Sequence, residues 1–282
     1  KEAGFEDGDP YSMVESLVFI RGGLKDNKFL SKDYIKNVAQ GGVEKTEAEL
    51  LGLWKDSTGE NEMLSAYDFR DKFFETAPQI TGIKYITADI ALEGNDKNVI
   101  ICWDGFHIFD IIVSDKLTGM EAKDLLQSTA RRYNIPNNRI IFDANGIGSF
   151  IGGKNGYSFL PRSVPFRGGD APTDKGLYFN SRSECYCRFA DRIRQNAGYS
   201  IDKTLLKKTI GKMTIEEILQ DERRVIRAYQ KGINWREIFR LIPKEDMKKI
   251  IGHSPDFMDA ITMREYADLR FVNGGKRKGS IW

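Results

Sequence analysis

The sequence predicts a mixed α/β domain in which three antiparallel strands are followed by parallel strands, with helices on the flanks. Residues 83–115 contain three β-rich runs, "IKYITADIA", "NVIICWDG" and "FHIFDIIVSD", joined by short polar stretches. A helical segment follows, and then a short apolar strand, "RIIFD", that ends in a carboxylate. Helical patterning dominates what remains.

Each element has its own local reason. Asp104–Gly105, between the second and third runs, is a tight hairpin signal, so the three strands are expected to pair antiparallel in succession. In "TGMEAKDLLQSTARRYN" the apolar Met120, Leu125, Leu126 and Ala130 mark a helix, with Thr118 as its N-cap. Further helices are expected over residues 180–196 and 215–230, a strand in "WREIFRLIP", and a closing helix over "DFMDAITMREYADLR" that Ser254 can cap. The order is β-β-β-α-β-α-β-α with insertions. The Pro and Gly content of "PFRGGDAPTDKG" suggests a mobile loop that gates the site. Residues 1–80 have a strand-like run, "SLVFI", and helical patches in "SKDYIKNVA" and "TEAELLGLW", and read as a linker. The principal domain is then 81–270, and residues 271–282 form a basic flexible tail. The start at Lys1, without an initiator Met, reads as the edge of an excised piece.

Composition narrows the function classes. The chain has 282 residues, 40% of them hydrophobic, which is ordinary for a globular protein. No apolar run approaches the roughly 20 residues of a membrane span. Cys102, Cys185 and Cys187 are odd in number and suit a reducing compartment as buried thiols; with only His107 and His253 beside them, a zinc site is not expected. Residues 1–80 contain 10 Lys+Arg and 16 Asp+Glu, and residues 81–282 contain 33 and 25. The second part is therefore the candidate for binding a polyanion.

"FDANGIGSFIGGKN", residues 142–155, satisfies the G-x-x-x-x-G-K spacing of a phosphate-binding loop through Gly148, Gly153 and Lys154. The next residue, Asn155, lacks the hydroxyl that such a loop gives to Mg²⁺. The same stretch also reads as a strand that delivers Asp143 into a glycine-lined turn. A right-handed crossover from the third strand makes the first and fourth strands parallel neighbours, with Asp89 and Asp143 at matching ends. In "SPDFMDAI", Asp256 and Asp259 are three residues apart and share a helix face. Taken singly, each acid reads as a solvated strand end or a helix-start residue. Together, at about 4 Å and an effective dielectric near 20, each like-charge pair costs on the order of 4 kcal/mol, which divalent cations would offset. Oxygen ligands select Mg²⁺ or Mn²⁺, and two such ions suit in-line attack on a phosphodiester.

"YITADIALEGNDKNVIICWDG", "IIFDANGIGSFIGG", "YFNSRSECYCRFADRI" and "IPKEDMKKIIGHSPDFMDAITMR", in that order, resemble the nuclease half of the large terminase subunit of tailed bacteriophages. The resemblance covers about residues 83–268. Residues 11–55 resemble the stretch that joins the ATPase core to the nuclease in that family. It implies an RNase H-like fold and a metal-dependent endonuclease that cuts concatemeric double-stranded DNA during packaging, using two Mg²⁺ or Mn²⁺ ions. It carries over Asp89 and Asp143 as catalytic residues and metal ligands, with Asp259 as the third catalytic residue and either or both of Asp256 and Asp259 as the helix ligand. The implied partners are DNA, the phage portal, the small terminase subunit and an ATPase domain of the same polypeptide, in the host cytoplasm and away from any membrane. Asp96 and His253 are expected to be solvated or capping.

Phosphate contacts are expected from Arg131, Arg132, Arg167, Lys175, Lys244 and Lys248, with Arg223, Arg224, Arg227 and Lys249 as further candidates. Four readings compete with a duplex DNA endonuclease: a junction resolvase, a nuclease of RNA–DNA hybrids, a non-catalytic DNA- or portal-binding module and, last, a nucleotide hydrolase built on "GSFIGGKN".

Overall fold

The structure is a computed structural model that describes residues 11–14, 17–20, 62–91, 97–147, 160–233 and 236–273. The chain divides into two compact units, Lys1–Ser57 and Thr58–Trp282. In the first, β1 (Tyr11–Val14) pairs antiparallel with β2 (Leu17–Ile20), which falls in the expected strand-like run. The helical patches expected there, the glycine turn from Gly148 to Asn155 with Lys154, Asp96, and the tail beyond Asn273 lie outside the described residues.

The second unit starts before the expected boundary at residue 81, because the preceding segment is built into its core. Helix α1 (Ala66–Phe69) is capped by the Ser65 hydroxyl, which accepts the Asp68 N–H at 2.9 Å, and continues as a π-turn, Arg70–Phe74. Leu64, Phe69, Phe73 and Phe74 are buried. Phe69 and Phe73 meet Phe189 edge-on, and Phe73 also meets Tyr199, in contacts worth about 0.5–1.5 kcal/mol each beyond area burial.

Six strands form the main sheet: β3 (Lys84–Asp89), β4 (Asn98–Asp104), β5 (His107–Ser114), β6 (Ile140–Asp143), β7 (Val164–Phe166) and β8 (Ser200–Ile201), in the order β7-β6-β3-β4-β5-β8. As expected, β3, β4 and β5 are antiparallel and β6 lies parallel to β3. β7 and β8 extend the two edges in parallel. Gly105, in the β4–β5 turn, has φ +61°, and a Cβ there would meet Thr81 Cγ2 at 2.9 Å, so only glycine fits.

Helix α2 (Gly119–Arg132) begins with a capping box between Thr118 and Glu121. It covers one face of the sheet, where Leu126, Ala122 and Ala130 join Ile86, Ala88, Ile100, Ile140 and Phe142. After β6 come α3 (Ala144–Ile147), α4 (Ser181–Arg194) and α5 (Lys203–Leu206). A small β9–β10 hairpin (Thr209–Ile210, Met213–Thr214) precedes α6 (Ile215–Arg223). The helix expected to reach residue 230 stops at Arg223. The rest of that span, β11 (Ala228–Ile233), forms a separate hairpin with β12 (Arg236–Leu241), so the strand expected in "WREIFRLIP" stands outside the main sheet. Two helices complete the fold, α7 (Lys244–Ile251) and α8 (Asp256–Asn273). The second sheet face carries α4 and α8, whose Phe189, Ile193, Phe257 and Ile261 pack with Val99, Ile101, Trp103 and Ile141.

Candidate active site

Strand alternation decides which way the acids point. Along β3, Ile86 and Ala88 face α2, so Tyr85, Thr87 and Asp89 face the α4/α8 side, where Thr87 accepts the Trp103 indole N–H at 2.8 Å. On β6, Ile141 and therefore Asp143 point the same way. The β3–β6 register runs Ile86–Ile140, Thr87–Ile141, Ala88–Phe142. Its next step sets Asp89 beside Asp143, in parallel strands about 4.8 Å apart.

Asp89 is 6% exposed. Burial, followed by the charge of Asp259, pushes its carboxyl well above the ordinary carboxylate range, with Asp143 and Asp256 adding in the same direction and Lys244 opposing. Burial also raises Asp143, against the Asn145 N–H that its Oδ1 accepts at 2.8 Å, and Asp259 raises it further.

Asp259 comes from α8 and is held differently. Its Oδ1 accepts the Arg182 Nε–H at 3.1 Å, the Arg182 Nη2–H at 2.8 Å and the Tyr186 hydroxyl at 2.6 Å. Its Oδ2 faces the Lys244 ammonium at 3.2 Å. Burial is the largest single influence and acts upward, yet Arg182, Lys244 and the Tyr186 hydroxyl together hold this carboxyl below its ordinary value. Asp256, at the start of the same helix, is buried, and its Oδ2 accepts the Lys97 N–H at 3.0 Å, which ties the entry of β4 to α8.

The start of α8 is not capped by Ser254. Pro255 supplies the carbonyl for the first helical bond, to Asp259 N, and the buried Ser254 hydroxyl makes no hydrogen bond with the described residues. Glu222 of α6 takes that place: its Oε2 accepts the Met258 N–H at 2.7 Å. Burial, with repulsion from Asp256, keeps the Glu222 carboxyl well above its ordinary range despite the backbone N–H groups it accepts.

Of the expected phosphate contacts, three stand at the acid end of the sheet. Lys244 reaches Asp259, and Lys248 follows one turn later on α7. Arg167 comes directly after Phe166, the β7 partner of Asp143. Arg131 and Arg132 end α2, which leads into the opposite end of β6, and Arg131 lines an open cleft there with Asn134, Pro136 and Asn137. Lys175 lines a cleft along the α4/α8 seam with Arg188, Arg192 and Glu265.

Other basic residues are bound internally. Arg223 and Arg227 pair with Glu62, Arg224 with Asp221, and Lys249 with Asp246. His253 donates from Nδ1 to the Ser254 carbonyl and approaches Asp221 at 3.4 Å, on the surface. Cys102, Cys185 and Cys187 are buried free thiols.

The expected gating loop is instead fastened to α4. Gly168 and Asp170 accept the Arg182 and Ser181 N–H groups at 3.0 and 2.9 Å, and Glu184 accepts the Thr173 N–H at 2.6 Å. Sequence reasoning did not foresee Arg182, Tyr186 or Glu222. Each acts across more than 30 positions of sequence, on residues that no local pattern links to it.

Among the described residues, no group of three or more His, Cys, Asp and Glu side chains is drawn together in a form that could hold a metal ion. Both oxygens of Asp259 face protein cations, Arg182 at Oδ1 and Lys244 at Oδ2. The chemistry of the donors nonetheless fits a hard divalent cation: all are carboxylate oxygens, and burial together with the charge of Asp259 raises both Asp89 and Asp143. A cation would relieve that repulsion. Among the described residues no helix is long and apolar enough to cross a membrane.

No family model and no curated protein matches the chain. Solved structures do. The nuclease domain of the large terminase subunit gp2 of bacterial virus Sf6 aligns with a TM-score of 0.57 at 18% identity, over 72% of this chain and 97% of that one. A point mutant of that subunit with calcium aligns at 0.56 and 18% identity, and a mutant nuclease domain with manganese at 0.52 and 16%, each over the same shares. The six-stranded mixed sheet with its flanking helices is thus an RNase H-like fold, the fold of the nuclease domain of phage large terminase subunits.

Proposed function

We propose that this chain is a metal-dependent endonuclease that cleaves concatemeric viral double-stranded DNA during genome packaging, as the nuclease part of a terminase large subunit. The observation that carries the reading is the meeting of Asp89 and Asp143, at adjoining ends of parallel strands, with Asp259 from the helix that covers them. Asp89, Asp143 and Asp259, with Asp256, would hold two Mg²⁺ or Mn²⁺ ions. When bound, such ions supply a Lewis acid for the phosphodiester and lower the pKa of a coordinated water. The chain's own residues prepare for that charge. Burial and the charge of Asp259 raise the Asp89 and Asp143 carboxyls, a cost that a cation would offset, Arg182 and Lys244 hold Asp259 below its ordinary value, and Arg167 and Lys248 would meet the DNA backbone.

In this reading the first unit connects to an ATPase domain of the same polypeptide, the second, which takes in residues 58–80 beside the expected 81–270, acts on DNA, and residues 271–282 are a basic tail. The portal and the small terminase subunit are the packaging partners, in the host cytoplasm. A second reading, a non-catalytic DNA- or portal-binding module, is favoured by one observation: both oxygens of Asp259 are occupied by protein cations. Incubation with supercoiled plasmid, a four-way junction and an RNA–DNA hybrid, each with Mn²⁺, Mg²⁺ or chelator, separates the readings. Nicking and linearisation of plain duplex in Mn²⁺ or Mg²⁺ alone is the expected result. Cleavage of only the junction or the hybrid would transfer the fold to a resolvase or hybrid nuclease, and binding without cleavage would favour the module.

A further inference from the structure

We propose that Arg182 and Tyr186 are positioning residues that engage one oxygen of Asp259, leaving only the oxygen that faces Lys244 for a metal ion, and thereby make the site select small octahedral cations, Mg²⁺ and Mn²⁺, over Ca²⁺. The inference deepens the proposed nuclease reading and rests on it. Three donors converge on Oδ1 of Asp259: Nε and Nη2 of Arg182 at 3.1 and 2.8 Å, and the Tyr186 hydroxyl at 2.6 Å. An oxygen so engaged has little capacity left for a cation, whereas Oδ2 points to Lys244. Asp259 can therefore bind a cation through Oδ2 alone, where the cation would take the place of the Lys244 ammonium. Mg²⁺ keeps near-ideal octahedral geometry with single carboxylate oxygens, while Ca²⁺ readily takes both oxygens of one carboxylate in shells of six to eight ligands.

The pair is built to hold its place. Arg182 and Tyr186 are one helical turn apart on α4, with the guanidinium 5.2 Å from the tyrosine ring centre. Tyr186 is fully buried, and its ring belongs to the core beneath the sheet. The Arg182 stem lies under the 165–176 loop. A Cβ at Gly168 would come within 3.1 Å of Arg182 Cβ and 3.4 Å of its Cδ, so the glycine lets the loop press on the arginine while accepting its N–H at 3.0 Å. Met247 Sδ lies 3.3 Å from Nη2 on the other side. A guanidinium confined on these sides presents a fixed fork to Asp259.

The test is calorimetric titration of the folded chain with Mg²⁺, Mn²⁺ and Ca²⁺, without DNA, for the wild type, Tyr186→Phe and Arg182→Lys. Tyr186→Phe removes one hydroxyl and leaves the ring in place, so it remains informative if Arg182→Lys fails to fold. The expected result is roughly a 10-fold loss of Mn²⁺ and Mg²⁺ affinity with Ca²⁺ affinity held or raised, so that the preference over Ca²⁺ narrows. A purely structural role would weaken all three ions alike. An unchanged Mn²⁺-to-Ca²⁺ ratio in both variants overturns the inference alone. A wild type that binds none of the ions overturns the functional reading and the inference with it.

Discussion

Asp89 is the residue at which the cost of the site is concentrated. Its carboxyl is pushed well above the usual range, so the folded chain releases that proton later than the unfolded chain does. Stability is unaffected below about pH 4, where both states are protonated, and falls as pH rises above it until the folded group ionises. Asp143 acts in the same sense; Asp259, held low, contributes stability above about pH 4 that is lost on acidification. Asp89→Asn is therefore expected to stabilise the metal-free protein at pH 8, raising its Tm, and to flatten its stability profile above pH 4. Thermal denaturation across pH in chelator measures this, and a lowered Tm at pH 8 would contradict it. Asp89 and Asp143 were legible in the sequence because each interrupts an apolar strand at its end. Arg182 and Tyr186 were not, because an arginine and a tyrosine on a helix face give no local sign of the carboxylate they meet 77 and 73 residues later.

At the scale of elements, β3 to β6 and α2 followed directly from β-rich runs, a hairpin signal and helical spacing behind an N-cap at Thr118. β7 and β8 did not, since three residues containing Pro165 and two residues at Ser200–Ile201 are too short to carry a period and exist through pairing with neighbours. The same limit applied to α6. Its charged sequence continues helix-like past Arg223, but "AYQKGI" finds a partner in "REIFRL" and becomes a strand. The entry of α8 is the element on which the site depends, and it is capped from a distance by Glu222. Glu222→Ala leaves the buried Met258 N–H without its acceptor, at a cost of about 1–3 kcal/mol, and loosens the turn that carries Asp256 and Asp259. The expected outcome is a lower Tm together with weaker Mn²⁺ binding; a variant that loses stability but binds Mn²⁺ like the wild type would show that the cap does not position the acids.

For the second unit as a whole, the sheet separates two basic regions. Arg167, Lys244 and Lys248 lie at the acid end, and Arg131 and Arg132 at the other. If three phosphates are neutralised at the acid end, duplex affinity falls with a log–log slope near −2.7, roughly 40-fold between 50 and 200 mM salt. Arg167→Ala and Lys248→Ala should each reduce that slope by about one unit, while Arg131→Ala with Arg132→Ala should leave it unchanged. Fluorescence anisotropy with a labelled duplex reads both, and a slope altered only by the Arg131 and Arg132 pair would place the DNA on the opposite side. The central claim remains that two strand ends and one helix share a single cation-dependent site. It is tested most directly by measuring Mn²⁺ binding and plasmid cleavage in parallel for Asp89→Asn, Asp143→Asn and Asp259→Asn, each checked for retained fold. The account predicts that every one of the three loses both properties together; a folded variant that still binds Mn²⁺ and cuts DNA like the wild type would remove that acid from the site.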